Sequence, residues 1–238
     1  MASNKTQRWA ILVIMIVTVI GTLGSFAVMI LAQQNQTKLA SEYQTALDAY
    51  NKEGKAYQAL LTVQSDELSK KYYNDFKNYS SYVGKYEIAS VSAVTTEDLT
   101  VGDGEEITGA TKFAAYYIGW DANANVFDQS IDKAANKLKN PLPVATGLDN
   151  ASLIDGWKEG MKGMHVGGVR LISIPSDKAY KEQGQKDQSG NVTIAPNMPL
   201  KFVVMAIPMP EEVPQPKSLQ KAFEDYSKAA QAYQGQQQ

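Results

Sequence analysis

Residues 9 to 32, WAILVIMIVTVIGTLGSFAVMILA, run for 24 residues without a charged side chain, and no other feature constrains the chain as much. At 1.5 Å per residue such a helix is about 36 Å long, enough to cross a bilayer core of roughly 30 Å with some tilt. An uncleaved anchor is one reading and a cleaved signal peptide another. The second calls for an apolar region of about 7 to 15 residues closing on a small-x-small site, which Ile30 and Ala32 fit badly. A core helix with no polar face is a third, against which Lys5 and Arg8 just upstream argue. By the positive-inside rule those cations place residues 1–8 in the cytoplasm and everything after residue 33 outside, though Lys38 and Lys52 weaken the bias.

Six segments follow from the patterning: an N-terminal tail (1–8), the anchor (9–32), a helical stalk (33–86), a compact domain (87–208), a proline-rich linker (209–217) and an amphipathic C-terminal helix with a polar tail (218–238). In the stalk Tyr43, Tyr50 and Tyr57 fall seven apart, the pattern breaks at Glu53-Gly54, and it resumes with Tyr72, Phe76 and Tyr79. A helical hairpin or an interrupted stalk fits, either packing on itself or offering tyrosines to clients. From about residue 87 the period shortens towards two, with strand-like runs at IASVSAV, KFAAYYIGW, VRLISI and LKFVVMAI between Gly, Asn and Pro clusters. The C-terminal helix, with Leu219, Phe223, Tyr226 and Tyr233, either docks on the stalk or frays.

Composition removes several chemistries. With 23 Lys plus Arg against 25 Asp plus Glu there is no basic surplus for nucleic acid. No cysteine and a single histidine, His165, leave no thiolate nucleophile and no multi-histidine metal centre, so neither a metal nor a cofactor is expected. Asp103, Glu105 and Glu106 lack the ligand spacing of a calcium loop.

What remains is a series of aromatic and apolar blocks: YYIGW at 116–120, VFDQS at 126–130, LIDGWKEGMKGMHVGG at 153–168, IPSDKAY at 174–180 and IAPNMPLKF at 194–202. The third is a poor helix by composition, with Gly156, Gly160 and Gly163 interleaved among Ile154, Trp157, Met161 and Met164. Ser152 and Asp155 read as its cap, and the glycines as a means of close approach to a sheet. In order, spacing and residue type these five blocks resemble the FKBP-type peptidyl-prolyl cis-trans isomerases over roughly residues 88–208. The resemblance implies an α+β fold, a curved antiparallel sheet wrapped on a short helix with a pocket between them. It implies catalytic roles for Asp128, Tyr180, Trp157 and Phe127, with Trp157 as the floor, and substrate contacts from Tyr117, Leu142, Leu153, Ile154, Ile194 and Phe202. Its expected partners are proline-containing polypeptide clients and rapamycin-type macrocycles.

Taken singly, Trp157 and Phe202 also fit a core, Asp128 a turn cap and Tyr180 an ordinary half-buried tyrosine. Leu142 stands where the family often has an aromatic, Leu153 where valine is usual, Lys181 where glycine is, and Ala195 where a second proline is common. Of these departures, Leu142 and Lys181 keep open a client-binding or chaperone module with little turnover. The polar loop 181–193 overhangs the pocket in such a fold, as a tuner of client choice or as a tolerated insertion.

Overall fold

The structure, a computed structural model, describes the backbone of residues 5–235 and the side chains of Ser25 and residues 29–235. The chain forms two compact units, one reaching to Leu60 and resuming at Pro214, the other Leu61–Val213.

Helix α1 spans Lys5–Phe76 without interruption. Gly54, where the sequence suggests a break, is absorbed: one glycine costs about 1 kcal/mol against Ala, and its neighbours Lys, Glu, Ala, Leu and Gln are strong helix formers. The uncharged run lies within α1, but the side chains of residues 9–24 and 26–28 fall outside the described residues. Among the described residues no helix is long and apolar enough to cross a membrane. In the first unit the tyrosine heptad meets helix α3, Lys217–Gln234. Tyr226 stacks on Tyr50 at 5.5 Å and Tyr233 on Tyr43 at 5.4 Å, while Phe223 tilts against Tyr50. The C-terminal helix is therefore docked rather than frayed.

The second unit is built on an antiparallel sheet of β1 (Thr95–Thr100), β2 (Phe113–Trp120), β3 (Val126–Gln129), β6 (Leu142–Val144), β7 (Val169–Ile174) and β10 (Leu200–Pro208). Two small hairpins, β4 (Ile131–Asp132) with β5 (Lys137–Leu138) and β8 (Gln185–Lys186) with β9 (Val192–Ile194), lie off it. Strand order is β1-β7-β10-β2-β3, with β6 also paired to β2. Successive side chains of β2 alternate between faces, and both are covered. Phe113 and Ala115 join a core with Trp157, Ile172 and Phe202, while Ala114, Tyr116, Ile118 and Trp120 join a second with Phe76, Val203 and Met205. This double burial explains why KFAAYYIGW is apolar almost throughout rather than alternating.

The second core revises the reading of residues 61–86 as stalk. Tyr72 and Phe76 of α1 lie 6.0 and 6.1 Å from Tyr116. Polar ties flank them: the Ser69 hydroxyl accepts from the Leu138 N–H at 2.8 Å, Lys137 pairs with Asp66 at 3.0 Å, and the Trp120 indole N–H donates to the Gly84 carbonyl at 3.1 Å. IASVSAV is not a strand. Ile88–Ser90 form a single 3₁₀ turn with Ile88 exposed, and β1 begins at Thr95 as an edge strand with little apolar content.

Facing the other core is helix α2, Asp155–Met161. The Ser152–Asp155 cap does not form: the N-cap is Ile154, no side chain caps the helix, and the Ile154 carbonyl accepts from the Trp157 N–H at 3.0 Å. The glycines act as expected. A Cβ on Gly156 would run into Ile174, and one on Gly160 would sit 2.5 Å from Ile172 Cγ2, so both let α2 lie against β7 at backbone range.

Candidate active site

Four elements converge at one end of the α2 side of the sheet. Tyr117 projects from β2, whose Gly119 pairs with Asp128 of β3 on one side and with Phe202 of β10 on the other. Because side chains alternate, Tyr117 and Phe202 share a face, and Trp157 rises to it from α2. The indole stands edge-on to Tyr117 at 5.5 Å and 89° and to Phe202 at 5.6 Å and 89°, and Phe127 stands edge-on to Phe202 at 5.6 Å and 81°. Such edge-to-face contacts set the positive rim of one ring on the negative face of the next, fixing ring orientation as well as burying area. Gly119 is required here: a Cβ would fall 2.6 Å from Phe202 Cε1 and 2.8 Å from Phe127 Cζ.

The rings enclose a cavity of about 390 Å³ lined by Tyr117, Phe127, Asp128, Leu142, Ser152, Leu153, Ile154, Trp157, Tyr180 and Phe202. Nine of the ten residues expected at the site are in this lining. Ile194 is not: it is 1% exposed in the core, so it supports the cavity rather than facing it. Ser152, read from the sequence as a cap, is the added member, and its place immediately before Leu153 and Ile154 is the signal that could have found it. Larger hollows, about 560 Å³ between α1 and α3 and about 570 Å³ beside Tyr79 and Met205, lack a comparable convergence of rings.

The polar groups stand at the rim. Asp128 is held from two sides, Oδ2 accepting from the Tyr117 hydroxyl at 2.5 Å and Oδ1 from the Gln129 N–H at 2.8 Å. Burial raises the pKa of Tyr117, and the bond to Asp128 adds to it, so the phenol stays protonated as a donor. Tyr180 follows a 3₁₀ turn at Ser176–Lys178. Its pKa is raised by burial and then by the charge of Asp128, and its hydroxyl makes no hydrogen bond to the described residues. That leaves a neutral donor at the cavity, beside the Ser152 hydroxyl and the Ile154 N–H of the same lining. His165 is exposed and bonds to the Gly104 carbonyl, away from this lining. The site therefore offers apolar enclosure, a fixed carboxylate and a free phenolic donor, which suits a rearrangement needing no bond to be made or cut.

Comparison with known proteins agrees. Residues 100–207 match the sequence model of the FKBP-type peptidyl-prolyl cis-trans isomerases. An FK506-binding protein of Neisseria meningitidis serogroup A is 34% identical over 94 residues, which are 40% of this chain and 80% of that protein. Its counterpart in serogroup B is 36% identical over 88 residues, 37% of this chain and 74% of that protein. A crystal structure of a peptidyl-prolyl cis-trans isomerase from Pseudomonas syringae pv. tomato is 26% identical and covers 52% of this chain and 88% of its own, with a TM-score of 0.41. The chain belongs to the family of FKBP-type peptidyl-prolyl cis-trans isomerases.

Proposed function

We propose that the protein catalyses rotation about X-Pro bonds of polypeptides on the outer face of a membrane to which residues 9–32 anchor it, with its N-terminus cytoplasmic. The observation that carries the catalytic part is the cage of Tyr117, Phe127, Trp157 and Phe202 closed by Asp128 and Tyr180. An X-Pro bond turns slowly because rotation breaks amide resonance, a barrier of about 18–20 kcal/mol that makes uncatalysed exchange take about 10–100 s. The planar amide is charge-separated and the twisted one less so, so a dry aromatic cavity favours the twisted form relative to water. The proline ring packs on Trp157, and the Ile154 N–H or the Tyr180 hydroxyl holds the substrate carbonyl while the bond turns. Asp128 fixes the Tyr117 ring and lines the rim beside the twisting amide. Each tenfold in rate requires only about 1.36 kcal/mol of selective stabilisation. FK506- and rapamycin-type macrocycles, ligands of the family, occupy the same cavity in this reading.

A protease-coupled assay on a short X-Pro peptide tests it. Catalysis should be clear in the wild type and drop sharply in Asp128→Ala and Tyr180→Phe; a wild type no faster than buffer sinks the enzymatic reading. The outward orientation rests on the uncharged run and its flanking cations. Protease added to intact cells should degrade the domain, and full protection overturns that assignment.

A further inference from the structure

Helix α2 carries the cavity floor and packs on the sheet through Trp157 and Met161, both buried in the core, but that apolar packing has little polar anchorage beside it. Gly156 and Gly160 bring it close to Ile174 and Ile172 but present no side chain to interlock with them, so nothing at those positions resists sliding. Other side-chain ties run from exposed groups: Lys178 to Glu159 at 3.4 Å, and Lys158 and Lys162 to Asp149 at 3.2 and 2.8 Å. Exposed pairs of this kind are weak and yield to solvent.

One tie differs. Arg170, the second residue of β7, is 6% exposed. Its Nη1 donates to the carbonyls of Gly160 and Lys162 at 2.9 and 3.0 Å, groups that the end of α2 leaves without helical partners. Its Nε and Nη2 donate to Asp98 of β1 at 2.6 and 3.1 Å. The planar guanidinium thus spends one edge on a carboxylate and the other on the helix end, where a cation is also favoured by the helix dipole. Among the described residues it is the buried side chain that bonds to α2, joining the helix to the strand beneath and to the sheet edge.

We propose that Arg170 is a positioning residue for the isomerase reaction, clamping the C-terminal end of α2 so that Trp157 and Ile154 hold their places in the cavity, with Asp98 as the anchor that orients the clamp. The proposal rests on the isomerase reading above. It predicts that removing the guanidinium displaces the floor of the site although Arg170 lines no part of the cavity.

The test uses the full-length protein labelled with 5-fluorotryptophan, which reports on Trp9, Trp120 and Trp157 separately. Trp120, in the opposite core, is the internal control. Under conditions where circular dichroism shows each variant folded, Arg170→Met should shift or broaden the Trp157 fluorine signal, leave that of Trp120 in place, and lower kcat/KM about tenfold or more. Arg170→Lys should recover part of that loss, and Asp98→Asn, which keeps both carbonyl bonds, should stay within about threefold of wild type. The proposal is overturned if folded Arg170→Met keeps kcat/KM within about twofold, if its loss only equals that of Asp98→Asn, or if the Trp157 signal does not move. Should Arg170→Met fail to fold, the order of the other two decides: Arg170→Lys below Asp98→Asn supports the clamp, and the reverse refutes it. If the wild type is itself inactive, the isomerase reading fails and the Trp157 signal alone decides the positioning claim.

Discussion

Replacing Gly156 by alanine should destabilise the protein, although alanine is the better helix former by about 1 kcal/mol. The new methyl would collide with Ile174 Cγ2 and lie 3.0 Å from its Cγ1, and overpacking of this kind typically costs about 1–3 kcal/mol. The difference leaves a net loss of about 1 kcal/mol. Ile174→Ala removes both γ carbons and by itself costs about 2–5 kcal/mol through the cavity it opens. In that background the Gly156→Ala methyl meets only the Cβ of residue 174, so its effect should become neutral or favourable. The coupling between the two sites should then be at least about 1 kcal/mol, well above the roughly 0.3–0.5 kcal/mol scatter of independent sites. Urea unfolding of the four proteins, followed by tryptophan emission and extrapolated linearly, measures it. Additive effects, or a stabilising Gly156→Ala in the wild-type background, would refute the argument that the glycines exist for close approach.

Gly119→Ala should lower kcat/KM about tenfold with a smaller loss of stability, because its methyl displaces Phe202 and Phe127 in the cavity wall; steady-state assay beside thermal unfolding separates the two. The Tyr116 hydroxyl is buried with no hydrogen-bond partner among the described residues. Tyr116→Phe should therefore leave stability unchanged or raise it by about 1 kcal/mol, read as a urea midpoint. Burial raises the pKa of Tyr86, Tyr116, Tyr117 and Tyr180, to about 12 for Tyr116, above the value of about 10 for an unfolded tyrosine. The unfolded chain loses these protons first, so their contribution to stability is full below about pH 10 and is lost as pH rises through the folded values. Urea midpoints measured at rising pH should hold up to about pH 10 and fall beyond it, and a midpoint unchanged at pH 11 contradicts the burial of these phenols.

The site was largely legible because its residues lie in short motif blocks whose order the fold preserves. Trp157 and Phe202, bland singly, gain meaning only beside Phe127, Asp128 and Tyr180. What escaped depended on partners distant in the chain. The Tyr117–Asp128 bond needs the β2–β3 register, and Ile194 has the character of a pocket residue but is taken up by the core. The local S-x-x-D pattern marks Ser152 as a cap, while the chain enters α2 at Ile154. Tyr72 and Phe76 showed an apolar stripe without naming the back of the sheet as its cover, and edge strand β1 is too polar to announce itself. Arg170 left one trace, a charge inside the apolar run VRLISI, which signals a buried partner but not which one.

The most direct test of the central claim is exchange spectroscopy on a short proline-containing peptide at equilibrium, with substoichiometric full-length protein. The account predicts cis-trans exchange peaks on a timescale where the free peptide shows none, abolished by a saturating FK506-type macrocycle and strongly reduced in Tyr180→Phe. Exchange equal to that of the free peptide, or exchange that persists with the cavity filled, would contradict it.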